Sequence, residues 1–68
     1  MSFSDVIDLW PSAVALAEDL GEKPAAIHKW RQRNSIPGPQ WLAIVHHAEV
    51  RGYDVTLERL ARTAAGLP

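Results

Sequence analysis

Four cations, Lys23, Lys29, Arg31 and Arg33, stand in the segment Lys23–Arg33, which holds no acid. The preceding segment Asp5–Glu22 is the reverse, with five acids and no base. A formal net charge of −1 conceals this asymmetry. Phosphate binding depends on a local concentration of positive charge, so the segment qualifies where the whole chain does not. Between the cations lie His28 and Gln32, whose side chains donate and accept hydrogen bonds. That combination suits a surface that holds an anionic backbone at its margins and reads polar groups between them. A solvated basic helix face has the same composition and is the plain alternative.

Other chemistries are poorly served. The chain has no cysteine, so it offers no disulfide framework and no thiolate metal site. His46 and His47 are adjacent and diverge by about 100° on a helix, which is the wrong spacing for one shared ion. No cofactor or metal is expected. Neither a nucleophile constellation, a glycine-rich phosphate loop nor a pair of carboxylates set for a cleft is present, so an enzyme is not expected. Trp10, Trp30 and Trp41 could stack exposed bases. Each fits the apolar stripe of its own segment, however, and the reading preferred for all three is core.

The basic segment must be positioned by helices. At 100° per residue a helix over 24–33 buries Ile27 and Trp30, and Ala26 leans toward the core. Ala25, His28, Lys29 and Gln32 then point away, with Arg31 and Arg33 flanking them. Pro24 suits the first turn of that helix, after Lys23 at the N-cap. Upstream, Ala13, Leu16, Ala17 and Leu20 repeat at i, i+3, i+4, i+7. Gly21 follows, where a left-handed residue ends a helix, and Ser12 or Pro11 opens it. The same period joins Phe3, Val6, Ile7 and Trp10 into a first helix, with Ser4 as N-cap, Asp5 and Asp8 near its positive end, and Pro11 as its stop.

Downstream, Asn34–Pro39 is a loop from which Ile36 turns into the core. Pro39 opens a fourth helix with Trp41, Ile44, Val45 and Ala48 on its buried face, ended by Gly52. Thr56 caps a fifth, with Leu57, Leu60, Ala61 and Ala64 as its buried stripe and Glu58 and Arg62 spaced for an i, i+4 pair. Val14, Leu42 and Val50 are left exposed. Leu60, Ala64 and Leu67 near the chain end are candidates for a self-association patch.

At 68 residues the chain is one domain, 1–68, close to the size below which domains need staples. The start MSFSDVID is acidic and short of apolar residues, so no signal peptide is expected. No run approaches a membrane span. The expectation is an all-α, compact bundle of about five short helices in a cytoplasmic protein.

The stretch Ala13–Arg33 resembles the helix-turn-helix of the Cro and phage-repressor (lambda-repressor-like) family. The resemblance rests on Leu16, the small Ala17 where the two helices cross, Leu20 before Gly21, and Ile27 and Trp30 in the second helix of the pair. Ile36-Pro37 followed by Trp41 is similar to what comes after the recognition helix in some small phage-like regulators. Two positions depart from the pattern: Glu22 stands where an apolar residue is usual, and Lys23 where Ser or Thr often caps.

The resemblance implies a sequence-specific regulator of transcription that binds double-stranded DNA as a homodimer, its third helix in the major groove. Gln32 would then pair bidentately with adenine, His28 and Lys29 would donate to guanine acceptors, and Ala25 would meet a thymine methyl. Lys23, Arg31 and Arg33 would hold phosphates, joined by Ser12 at one helix start and by the backbone at Gln40 and Trp41. RNA polymerase or another regulator is a further partner in that reading. Two rivals stay open. One is an excisionase-like factor that bends DNA. The other is a helical protein-interaction module, of adaptor or antitoxin-like kind, that uses the basic strip on an acidic protein.

Overall fold

Ser2, rather than Ser4, starts the first helix in the computed structural model, which describes residues 1–67. The Ser2 hydroxyl accepts from the Asp5 backbone N–H at 3.1 Å, and the Asp5 carboxylate accepts from the Ser2 N–H at 3.0 Å. This reciprocal capping box satisfies two N–H groups that the first turn cannot pair internally, and it holds the Asp5 carboxyl below its ordinary range. The helix α1 runs only from Phe3 to Ile7. Its expected extension to Trp10 is replaced by tighter turns, Leu9 N–H to Val6 O and Trp10 N–H to Ile7 O, both at 3.2 Å. Pro11 restrains only Trp10, so it could not by itself fix where the helix stops.

Four more helices follow: α2 Ala13–Leu20, α3 Pro24–Arg33, α4 Trp41–Arg51 and α5 Leu57–Ala64. Ser12 and Thr56 cap α2 and α5, each hydroxyl accepting a backbone N–H at 3.1 Å. The fourth helix begins later than Pro39 suggests, because Gly38–Gln40 form a single 3-10 turn that leads into it. No strand occurs among the described residues.

α2, α3 and α4 end alike. Gly21, Asn34 and Gly52 each adopt positive φ, at 68°, 51° and 81°. The next N–H then reaches back to close the last turn, for example Glu22 to Ala17 O at 2.8 Å. Asn34 occupies a conformation that asparagine tolerates better than most residues. At Gly21 an added Cβ meets nothing within 4 Å, so the cost of substitution there is purely conformational. Gly21→Val is expected to lower stability by more than ~1 kcal/mol, since a β-branched residue is an outlier at positive φ; thermal melting checks this, and an unchanged midpoint would contradict it.

The core draws one to three residues from each α-helix: Phe3, Val6 and Ile7 of α1, Leu16 and Ala17 of α2, Ile27 of α3, Ile44 and Ala48 of α4, and Leu60 of α5. Trp10, Ile36 and Val55 complete it from the connections. Ala17 is buried, and α2 and α3 pack directly on each other.

Three expectations about burial need correction. Of the tryptophans only Trp10 is fully buried, while Trp30 and Trp41 are half-buried at the edge of the core. In α5 only Leu60 is buried; Leu57, Ala61 and Ala64 face outward, because this last helix rests one narrow edge on α4. Leu60 therefore cannot belong to a surface patch, although Ala64 and Leu67 remain exposed. Val14, Leu42 and Val50 are exposed as read from the sequence.

Candidate nucleic-acid interface

The angular reading of α3 matches its exposure. Ala25, His28, Lys29 and Gln32 are all exposed and form a strip along the outer side of the helix, with Ile27 buried behind them. Arg31 and Arg33 are exposed beside the strip, and Lys23 precedes the helix at its N-cap.

A shallow groove borders α3 on either side. One, of about 420 Å³, is lined by Glu22 and Lys23 of the α2–α3 turn and by Ala26, Lys29, Trp30 and Arg33 of α3, among others. The other, of about 350 Å³, is lined by Asp8 and Trp10 from the α1–α2 region, Ser12 and Ala13 at the start of α2, and His28 and Arg31 of α3. A larger concavity of about 670 Å³ lies between α5 and Met1. Its two arginines are committed to acids, Arg59 to Asp54 at 3.4 Å and Arg62 to Glu58 at 3.3 Å, so it has little charge to offer an anion.

Ion pairing divides the cations sharply. The sequence has seven Lys and Arg residues. Four of them, Arg31, Arg51, Arg59 and Arg62, are paired with acids. The remaining three, Lys23, Lys29 and Arg33, have no acid partner among the described residues, and all three line the 420 Å³ groove. The single acid on that groove is engaged elsewhere, since Glu22 accepts from the Gln40 side-chain amide at 2.9 Å.

Arg31 is held differently from its neighbours. Its Nε and Nη2 donate to the two oxygens of Asp8 at 2.8 and 3.0 Å, a bidentate pair across 23 residues of sequence. This keeps the Asp8 carboxyl below its ordinary range. The start of α1 adds a second clamp on the same end of α3: the Ser4 hydroxyl donates to Arg31 O at 3.0 Å, and the Ser4 N–H donates to Asn34 Oδ1 at 2.9 Å. Ser4 is thus a tie between helices and not a cap. Asp8, which sequence reading assigned only to the dipole of α1, is the partner that neutralises one of the four cations.

The remaining residues named from the sequence fall as follows. Ser12 lies on the second groove, its hydroxyl oxygen accepting from Ala15 N–H at the start of α2. Gln40 has its side chain on Glu22, and Trp41 donates its indole N–H to Ile36 O at 2.8 Å. These two residues offer an anion backbone more than side chain. His46 and His47 stack edge to face, 5.1 Å between centroids, and no cluster of three metal-ligating side chains is found among the described residues.

Behind the interface, Asp19 of α2 joins three parts of the chain. It accepts from Trp10 Nε1 at 2.8 Å and from Arg51 of α4 at 2.6 and 3.2 Å. Arg51 first and Trp10 second lower its pKa from 3.8 to about 2. Trp10 meets Tyr53 edge-on at 5.1 Å beside this cluster. The cluster fixes α2, and through it the turn that presents α3. No helix among the described residues is long and apolar enough to cross a membrane. Comparison with protein-family models, with curated proteins and with solved structures finds no match for this chain.

Proposed function

We propose that this chain binds double-stranded DNA in a sequence-specific way through α3, as a small transcriptional regulator of phage type acting as a homodimer. The observation that carries the reading is the distribution of unpaired charge. Every Lys or Arg without an acid partner among the described residues lies on α3 or at its N-cap, next to an exposed strip of base-reading side chains. The two grooves that flank α3 fit a helix lying between the two backbones of a major groove. Gln32 suits adenine, His28 and Lys29 suit guanine acceptors, and Ala25 suits a thymine methyl. Lys23 and Arg33 supply phosphate contacts that set register. Lys29 on the same groove adds its charge against a neighbouring phosphate while it reaches toward a guanine, and Ser12 and the Gln40–Trp41 backbone are further contacts. Arg31 contributes only when phosphate displaces Asp8.

Selection of bound fragments from random duplex DNA tests the reading. One enriched motif is expected, with half-sites about 10 base pairs apart if the dimer presents both α3 helices to one face. Failure to retain any duplex at low salt would remove the DNA reading in favour of an acidic protein partner.

The Asp8–Arg31 pair adds a separate expectation. Asp8→Asn withdraws a negative charge and releases Arg31. Binding should tighten, and the slope of log affinity against log salt should steepen by about 0.9 for each phosphate gained, about two for a dimer. A variant that binds more weakly than wild type would show that Asp8 positions Arg31 instead of restraining it.

A further inference from the structure

Trp10 and Trp41 use their indole N–H groups inside the protein, on Asp19 and on Ile36 O. Trp30 does not. It has no hydrogen-bond partner among the described residues, and no buried side-chain nitrogen is left unpartnered, so Trp30 Nε1 lies at the surface. The half-buried ring lines the 420 Å³ groove together with Lys23, Lys29 and Arg33. Ala26 lines the same groove, and the Glu22 carboxylate is engaged by the Gln40 amide. Three unpaired cations and a tryptophan with an unused indole N–H thus border a single shallow depression. A ligand that meets both needs carries negative charge spread over several acceptor oxygens.

We infer that this groove seats successive phosphodiesters of the DNA backbone, with Trp30 Nε1–H donating to a non-bridging oxygen while Lys23, Lys29 and Arg33 each neutralise one phosphate charge. The inference rests on the DNA-binding reading and deepens it by making Trp30 a ligand as well as part of the edge of the core. A neutral donor has a signature that cations lack. It displaces no counterion, so it strengthens binding without changing the salt slope.

Trp30→Phe keeps an apolar ring and removes the N–H. Titrated against random duplex between about 50 and 200 mM salt, the variant is expected to bind about two- to twelvefold more weakly per subunit at every salt, the span of one net hydrogen bond. Its slope should equal that of wild type, whereas Lys29→Gln should flatten the slope by about 0.9 per site. Affinity equal to wild type, or a loss that comes with a flatter slope, overturns the assignment. A second measurement needs no variant: in the proton–nitrogen spectrum of the wild-type protein, the Trp30 indole resonance should move on addition of duplex while that of the buried Trp10 stays. DNA binding with the Trp30 indole stationary overturns the inference alone. If wild type binds no duplex at low salt, the DNA reading itself has failed.

Discussion

Replacing Lys23, Lys29 and Arg33 together by alanine is expected to abolish most of the salt dependence of DNA binding. These three cations have no acid partners among the described residues, so the proposed homodimer would neutralise about six phosphates and its slope should be about −5. Between about 50 and 200 mM salt that slope costs wild type roughly a thousandfold in affinity. The triple variant should fall to a weak affinity that changes little over the same range. Arg31 cannot compensate while Asp8 holds it at 2.8 and 3.0 Å. All three side chains belong to exposed residues outside the core, so melting should be nearly unaffected. A variant that keeps a slope near −5 would place the phosphate contacts elsewhere on the molecule.

The largest loss of stability is expected at Trp10. Trp10 is 3% exposed, against a half-buried Trp30, so truncation at position 10 empties the core and truncation at position 30 mainly trims its edge. Trp10→Ala should cost about 3–5 kcal/mol, the usual range for a buried large aromatic. A chain of 68 residues has only about 3–10 kcal/mol in total, so this variant should be largely unfolded at 37 °C. Trp10→Phe is the finer probe, because it keeps most of the ring and deletes the bond to Asp19. The Asp19 carboxyl is held at about 2 in the fold against an ordinary 3.8. Its contribution is therefore present above about pH 4 and lost as pH falls toward 2. Removing the Trp10 donor raises the folded pKa, so the contribution of Asp19 shrinks at neutral pH and acid unfolding should begin at higher pH. Circular dichroism followed against pH measures this, and coincident acid transitions for Trp10→Phe and wild type would contradict it.

What could be read in advance was local. The bounds of α3, the Ser12 and Thr56 caps, the turns at Gly21 and Gly52 and the Glu58–Arg62 pair all follow from residues within four positions of one another. The exposed strip of α3 belongs to the same class, since a buried Ile27 fixes the orientation of the whole helix. What escaped was long-range or a choice between near-equal local options. Ser2 and Ser4 both precede Asp5, and only Ser2 has the i, i+3 spacing of a capping box, a signal legible in the sequence itself. Asp8 with Arg31 and Asp19 with Arg51 are joined across 23 and 32 residues, which no local periodicity encodes. The exposure of Leu57, Ala61 and Ala64 depends on how narrow an edge of α5 meets α4, and a stripe of apolar residues does not reveal the width of its partner. Trp30 lies at the margin of the core because Ile27 already fills the centre of the α3 contact.

Base reading by α3, with phosphates held at its margins, is tested most directly by Gln32→Ala. Wild type and the variant would be titrated on the selected duplex and on a random one at several salt concentrations. Gln32 is an exposed neutral side chain, so its loss should leave fold and salt slope alone. On the selected duplex the variant should bind more weakly by about 1–3 kcal/mol per half-site, and on random DNA it should match wild type. Equal losses on the two duplexes would contradict base reading by α3, and wild type that binds neither duplex at low salt would contradict DNA binding altogether.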